Sequence, residues 1–162
     1  STETVLGEVE RSFADALGVA CRMLEDKRLL AGGGATHVAL SRSLRRFAES
    51  IPGREQLGAE AFADALEVIP RVLAENAGLD PIDTLLQLVA AQVNAEDDSH
   101  HLGLDLTNRR PSNMVENGVL EPYLIARQSI AGATEAAISI LRIDDVLWAK
   151  QDPTMAEVPE ME

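Results

Sequence analysis

The chain has 162 residues, which is enough for one well-buried domain and too few for two ordinary ones. Its apolar content of 46%, with 11 glycines and 7 prolines, is typical of a globular protein and excludes a disordered or fibrous one. The 27 acidic residues outnumber the 14 basic ones and give a formal net charge of -13, which argues against nucleic-acid phosphates or an anionic membrane surface as partners.

The cellular compartment can be inferred from targeting signals and from the number of cysteines. No stretch approaches the roughly 18 uninterrupted apolar residues of a membrane-spanning helix, and the first residues lack a basic segment followed by an apolar one. We therefore expect a soluble, cytoplasmic protein. Cys21 is the single cysteine, which excludes an internal disulfide framework. With His37, His100 and His101 it shows no zinc-ligand spacing, so we expect no structural metal site.

The basic residues are almost all arginines, because Lys27 and Lys150 are the only lysines. An acidic excess with so little lysine indicates a protein from a high-salt cytoplasm. An ordinary acidic protein is the alternative.

Apolar residues in the first fifty positions recur at helical spacing. From Thr4 to Leu30 they lie three and four apart, which predicts one long amphipathic helix. The Gly32–Gly34 run then interrupts the helix, because three glycines remove the side-chain barrier to other conformations. A second helix is predicted from Thr36 to Ser50, and Ile51–Gly53 ends it.

The next forty residues predict further helices separated by turn signals. Gly53 to Asn76 is helical in composition, with a bend near Ile69 because the proline that follows lacks an amide donor and crowds the preceding turn. Asn76–Gly78 has the composition of a helix C-cap. Asp80–Pro81 predicts the N-cap and first turn of a helix that stops near Asn94.

The last part of the chain is more varied. Residues 95–101 are polar and predict an exposed loop, and alternating leucines from Leu102 to Val115 predict a short hairpin. Glu121–Pro122 begins another predicted helix, residues 140–147 turn β-like, and residues 151–162 are expected to be disordered.

Four features could carry chemistry: Asp15, the Gly32–Gly34 run, the Gly103–Leu106 segment and Glu121. Three glycines before a helix could let backbone amides approach a phosphate or a sugar, or could form a plain interhelical turn. Asp15 lies near the apolar stripe, where a carboxylate is costly unless it is paired or used. Glu121 could equally be a first-turn carboxylate stabilised by the helix dipole. Judged singly, each feature favours the simpler structural interpretation.

The sequence contains five longer segments, GEVERSFADALGVA, GGGA, GREQLGAEAFADALEVIPRVLAENAGLDPIDTL, ENGVLEP and ATEAAISILRIDDV. In order and spacing they resemble the archaeal group II chaperonins, or thermosomes, over essentially residues 1–150. The resemblance implies a mainly α fold, with chaperonin equatorial-domain-type antiparallel helices, a small β-hairpin and a short C-terminal strand.

The resemblance also implies an organisation and a function. Residues 1–30 would be the C-terminal segment of an intermediate domain, residues 31–150 the C-terminal half of an equatorial ATP-binding domain, and residues 151–162 an acidic tail. We expect a fragment of an ATP-dependent chaperonin that assists protein folding in a double ring, with other chaperonin subunits and unfolded polypeptides as partners. The alternative is a stand-alone, non-catalytic helical assembly module.

The resemblance assigns roles to individual residues. Asp15 matches the catalytic aspartate that orients the attacking water, a task that suits a carboxylate. Gly33 matches the glycine against which the nucleotide sugar lies, and Glu121 matches the acid that accepts hydrogen bonds from the ribose hydroxyls. We expect these three residues to share one concavity. The complete set assigned to the nucleotide is Gly32, Gly33, Gly34, Asp105, Leu106, Thr107 and Glu121, of which the three hairpin residues align loosely.

One expected motif is absent from the sequence. The family's Gly-Asp-Gly-Thr-Thr loop, which holds the phosphates and Mg²⁺, does not occur in these 162 residues. ATP or ADP with Mg²⁺ is therefore implied for the intact chaperonin, and we expect no measurable ATP hydrolysis by this chain alone. Because the strand near residues 143–147 would lack its family partners, we also expect self-association.

Overall fold

The computed structural model describes residues 2–95 and 98–145. Six α-helices lie in these ranges: α1 (Thr2–Glu25), α2 (Ala35–Ala48), α3 (Glu55–Leu66), α4 (Val68–Asn76), α5 (Pro81–Asn94) and α6 (Tyr123–Leu141). Four short strands accompany them: β1 (Leu29–Ala31), β2 (Leu102–Asp105), β3 (Arg110–Asn113) and β4 (Leu120–Pro122). A single turn of 3₁₀ helix, Ser99–His101, precedes β2. The mainly α fold with a small hairpin is confirmed.

The strands form two separate antiparallel pairs. β2 and β3 are the predicted hairpin, with Leu102 opposite Asn113 and Asp105 opposite Arg110. β1 pairs with β4, which is distant in sequence, and places Leu30 opposite Glu121. This second pair has no local turn signal and was not predicted from the sequence.

The chain divides into two compact units, residues 1–127 and residues 128–162. In the first unit, the buried apolar side chains include two small clusters: Val38, Leu85 and Leu88 in one, and Ala31, Ala35 and Met114 in the other. The described part of the second unit is the remainder of α6 with residues 142–145 after it. No helix among the described residues is long and apolar enough to cross a membrane.

The predicted caps and breaks are present in the middle of the chain. Asp80 Oδ1 accepts hydrogen bonds from the amides of Ile82 and Asp83 at 2.9 and 2.8 Å, and so caps α5. Gly78 follows α4 with φ 68°, the left-handed conformation that commonly ends a helix. The predicted bend is a break between α3 and α4 at Glu67, which places Pro70 in the first turn of α4.

Glu67 is a buried acid at this break, and it joins three helices. Its carboxylate accepts hydrogen bonds from Ser41 Oγ at 2.7 Å, Arg45 Nη2 at 2.9 Å and Arg71 Nη2 at 3.1 Å. Since Ser41 and Arg45 belong to α2, these bonds hold α2 against the α3–α4 corner. Every polar partner that the buried carboxylate needs is thus supplied within the protein.

The first helix is shorter than predicted. α1 ends at Glu25 instead of continuing to Leu30, because Asp26 Oδ1 accepts a hydrogen bond from the amide of Arg28 at 3.0 Å and turns the chain. Leu29–Ala31 then pair with β4. The amide of Tyr123 donates to the Arg28 carbonyl, and the Arg28 guanidinium lies 4.0 Å from the centre of the Tyr123 ring.

Two further predictions near the C-terminus are wrong. Glu121 and Pro122 belong to β4, and α6 begins at Tyr123, because pairing with β1 satisfies their backbone in an extended conformation. Ile140 and Leu141 are helical, and residues 143–145 form neither helix nor strand. The predicted tail of residues 151–162 and the end of the expected C-terminal strand lie outside the described residues.

Candidate functional site

A cavity of about 490 Å³ lies where the three-glycine turn, α4 and the β2–β3 hairpin meet. Its size falls within the range of small-molecule sites. The apolar side chains that line it are Leu73, Leu104, Leu106, Met114 and Val119. The remaining lining comes from Gly33, Asp105, Thr107, Asn108 and Asn117. The cavity therefore has largely apolar walls and a polar margin contributed mainly by the hairpin turn.

Gly33 lies where the glycine turn touches the hairpin. Its φ is 60°, and a Cβ at this position would come within 2.7 Å of Met114 Sδ and 2.9 Å of the Leu104 carbonyl oxygen. Its own carbonyl accepts a hydrogen bond from the Leu104 amide at 2.8 Å. Both the backbone conformation and the close packing require glycine, so the turn is held directly against β2.

The neighbouring Gly32 and Gly34 also pack closely, against Val119 and Pro70 respectively. The Gly32 amide donates to the Val119 carbonyl at 2.9 Å, and a Cβ on Gly34 would come within 2.8 Å of Pro70. Close packing thus accounts for the whole run, whether or not a ligand also approaches it.

Gly103 is the fourth glycine of this contact; it begins the candidate segment Gly103–Leu106, and its packing role was not predicted from the sequence. A Cβ here would lie 2.6 Å from the Gly32 carbonyl oxygen and 2.6 Å from Met114 Cγ. The available signal was a glycine inside a predicted strand, which often marks the close approach of another backbone.

Asp105 organises the turn of the hairpin. Its Oδ1 accepts hydrogen bonds from the amides of Thr107 and Asn108 at 2.9 and 3.0 Å, and its Oδ2 accepts one from Asn108 Nδ2 at 2.7 Å. The Asn108 side-chain bond, followed by the amide bonds, holds the pKa of Asp105 below its ordinary value of 3.8. Asp105 therefore shapes the cavity margin through the turn, with its carboxylate already engaged.

Gln92 is a buried residue of α5 that fixes two walls of the cavity. Its Nε2 donates to the Ala35 carbonyl at 3.0 Å and to the Leu102 carbonyl at 2.8 Å. These acceptors stand just after the glycine turn and at the start of β2. The sequence signal that could have found this role is a polar residue on the same helical face as Leu85 and Leu88.

The structure places the other predicted site residues apart from this lining. Asp15 is exposed on α1 and does not line the cavity. Glu121 is half-buried in β4, and it too is outside the lining. Its Oε1 is enclosed and has no hydrogen-bond partner among the described residues. Of the predicted set, Gly33, Asp105, Leu106 and Thr107 line the cavity, whereas Gly32 and Gly34 do not. Asp15, Gly33 and Glu121 therefore do not share this cavity.

Comparison with known proteins gives a consistent result. The sequence profile of the TCP-1/cpn60 chaperonin family matches residues 1–151. A thermosome subunit of Methanopyrus kandleri is 53% identical over 150 residues, covering 93% of this chain and 27% of that protein. Thermosome subunit 1 of Haloferax volcanii is 52% identical over 148 residues, covering 91% of this chain and 26% of that protein.

The fold is similar to that of a solved structure. An open-state monomer of a group II chaperonin from Methanococcoides burtonii matches with a TM-score of 0.72 and 42% identity, over 87% of this chain and 34% of that one. The chain spans about a quarter of the length of the curated relatives described above, which share 27% and 26% of their length with it. Because the family profile extends over nearly the whole sequence, the chain belongs to the TCP-1/cpn60 chaperonin family.

Proposed function

We propose that this chain forms part of an ATP-dependent group II chaperonin that assists the folding of other polypeptides in a double ring. Membership of the family and the high identity to thermosome subunits support this function. The observation that carries the nucleotide-binding part is the cavity of about 490 Å³, because Gly33 and residues 105–107 line it together. On this proposal, residues 1–30 belong to an intermediate domain and residues 31–150 to an equatorial domain.

The residues present fit the base and sugar of an adenine nucleotide. Walls of leucine, methionine and valine suit a flat purine ring, and the hairpin margin supplies polar groups for its edge. Glu121 lies in β4, outside this lining, and we propose that its carboxylate accepts hydrogen bonds from the sugar hydroxyls because the resemblance assigns it that role and its Oε1 has no partner among the described residues. ATP would supply the phosphoryl group whose transfer drives the cycle.

Asp15 is our proposed catalytic residue. A carboxylate can align the water that attacks a phosphoryl group, and Asp15 is exposed on α1 rather than consumed by packing. Phosphoryl transfer also needs a phosphate cradle and Mg²⁺, and the sequence contains no motif of the expected type. We therefore propose that the purified chain does not hydrolyse ATP.

A fluorescent ADP analogue titrated into the purified chain tests nucleotide binding. We expect saturable binding that Leu106→Ala and Glu121→Gln both weaken. Leu86→Ala should leave the binding unchanged, because Leu86 is an exposed leucine of α5 outside the cavity. Absence of saturable binding, or binding that neither variant weakens, would overturn the proposed site. Mg²⁺-dependent phosphate release that Asp15→Ala abolishes would contradict the predicted inactivity.

The proposed partners are other chaperonin subunits and unfolded polypeptides, with self-association of this chain in isolation. Large apolar side chains along α1 support an interaction through this helix, since Val5, Leu6, Val9, Phe13 and Leu17 are each more than half exposed.

A further inference from the structure

We propose that Asp98, His100 and His101 form a binding site for a divalent transition-metal ion of the Zn²⁺ type. The three residues lie on the loop between α5 and β2, around the 3₁₀ turn. One ligand atom from each residue, two imidazole nitrogens and a carboxylate oxygen, lies within 4.8 Å of the other two. Chain spacing alone predicted no structural zinc site, and the proposed site is of another kind, open to solvent and formed by a local fold.

The separations suit an ion after a small side-chain movement. A tetrahedral zinc ion with ligands at about 2.0–2.2 Å requires ligand atoms roughly 3.4 Å apart. Asp98 Oδ1 and His101 Nδ1 are already 3.7 Å apart, close to that spacing and too far apart for a good hydrogen bond. The Asp98 side chain is 67% exposed, whereas that of His101 is 27% exposed and more enclosed by its neighbours.

The backbone holds the three residues in this arrangement. Asp98 has φ 51°, a left-handed conformation, and its carbonyl accepts a hydrogen bond from the His101 amide at 2.8 Å. The His101 carbonyl accepts a hydrogen bond from the Met114 amide at 2.9 Å, which ties the loop to the hairpin. A ligand set preorganised by the backbone loses less conformational entropy when it binds an ion.

The donor types select the class of ion. Two imidazoles and one carboxylate suit Zn²⁺, Ni²⁺ or Cu²⁺, whereas Mg²⁺ and Ca²⁺ prefer sites made only of oxygen ligands. The ring centres of His100 and His101 are 4.2 Å apart, so both imidazoles present to the same region. Three protein ligands leave a coordination position for water, and the net charge of -13 raises the local concentration of cations.

Isothermal titration of the purified chain with ZnCl₂, carried out with no histidine tag and with a large excess of Mg²⁺, tests the site. We expect one Zn²⁺ per chain. His100→Ala and Asp98→Asn should each weaken binding by about tenfold or more, since even loss of a supporting residue costs 10–100-fold. Both side chains are exposed, and a circular dichroism spectrum identical to that of the parent verifies that each variant is folded.

The control variant is His37→Ala, because His37 lies on α2 and is the only histidine outside the cluster. Its Zn²⁺ affinity should equal that of the parent. Co²⁺ in place of Zn²⁺ should give visible absorption bands that His100→Ala removes. Zn²⁺ binding that Mg²⁺ displaces, or that His37→Ala weakens as much as His100→Ala does, would overturn the proposed ligand set.

Discussion

At the scale of single residues, the glycine turn packs closely against the hairpin. Gly103 and Gly33 let two backbones approach to a distance that any side chain would prevent, as the carbonyl of Gly32 shows for Gly103. Gln92 donates to one backbone carbonyl beside the glycine turn and to another at the start of β2, and so holds the turn and the hairpin together. These residues set how closely the glycine turn and the hairpin approach, and both border the cavity.

Gly103→Ala should destabilise the fold by about 1–3 kcal/mol, because the added methyl group would meet backbone atoms that cannot rotate away. Gly58→Ala in α3 is the matched control, since a Cβ there has open space, and it should stabilise the fold by about 0.5–1 kcal/mol. Urea unfolding followed by circular dichroism measures both changes. Equal effects of the two substitutions would show that the close contact is absent.

Gln92→Ala should reduce the free energy of unfolding by about 2–4 kcal/mol, since it removes buried hydrogen bonds and leaves a cavity. Gln87→Ala changes an exposed glutamine of the same helix and should shift stability by less than about 0.5 kcal/mol. Faster amide hydrogen exchange in the hairpin of the Gln92 variant, and not of the Gln87 variant, would locate the effect. The idea fails if the two variants unfold alike.

At the scale of elements, the β2–β3 hairpin is stabilised by hydrogen bonds within its own turn. Asp105 accepts hydrogen bonds from several neighbours, and Asn108 supplies both its amide and its side chain. The turn also carries Leu106 and Thr107 to the cavity margin. Any change that frees the Asp105 carboxylate should therefore loosen the margin before it loosens the helices.

The lowered pKa of Asp105 predicts acid sensitivity of this hairpin. Because the folded pKa lies below the unfolded value of 3.8, its contribution to stability is complete above that pH and is lost as pH falls through the folded pKa. Asp105→Asn should accordingly be less stable than the parent at neutral pH, with the difference vanishing in acid. Unfolding curves of both proteins across this pH range provide the measurement, and a pH-independent difference would contradict it.

The apolar pattern of α1 predicts a buried helix face, but the structure leaves that face exposed. Its apolar stripe is that of a helix packed against a neighbour, yet Val5 is 64% and Phe13 is 70% exposed. Helical periodicity predicts which face is apolar and contains no information about what covers it.

The exposed stripe predicts association of the purified chain. We expect a dimer or larger oligomer at tens of micromolar in sedimentation experiments, because covering these side chains removes apolar surface from water. Phe13→Asp should shift the distribution toward monomer, whereas Val93→Asp, which changes an exposed valine of α5, should not. A parent chain that sediments as a clean monomer in high salt would remove the prediction.

At the scale of the whole molecule, charge dominates the solution behaviour. A formal net charge of -13 on 162 residues produces repulsion within the chain and between chains. Salt screens this repulsion, since the Debye length falls from about 10 Å at 0.1 M to about 3 Å at 1 M.

Stability should therefore rise with salt. We expect the midpoint of refolding to increase from low to molar KCl, as for a protein of a high-salt cytoplasm. An uncharged osmolyte at matched osmolarity is the control, because it does not screen charge. A midpoint that stays flat across the KCl series would favour the ordinary acidic protein instead.

The sequence by itself determined the presence of the helices, the caps between α4 and α5 and the family, but not the C-terminal end of α1 or the two ends of α6. Asp80, Gly78 and the glycine run act through local hydrogen bonds and local backbone freedom, so their positions could be predicted within a residue or two. The β2–β3 hairpin was equally predictable, because its two strands are separated by a short turn. The resemblance named the residues of the proposed nucleotide site, from Asp15 to Glu121, without any geometry.

Only the tertiary structure determined the pairing of distant segments and the contacts between elements. β1 and β4 lie about ninety residues apart, and only their pairing reveals that Leu29–Ala31 and Leu120–Pro122 are strands. The roles of Gly103, Gln92 and Glu67 arise from contacts across elements. Contacts between residues far apart in the chain leave no periodic trace in either segment, which is why local patterns predict elements and miss the pairings that assemble them.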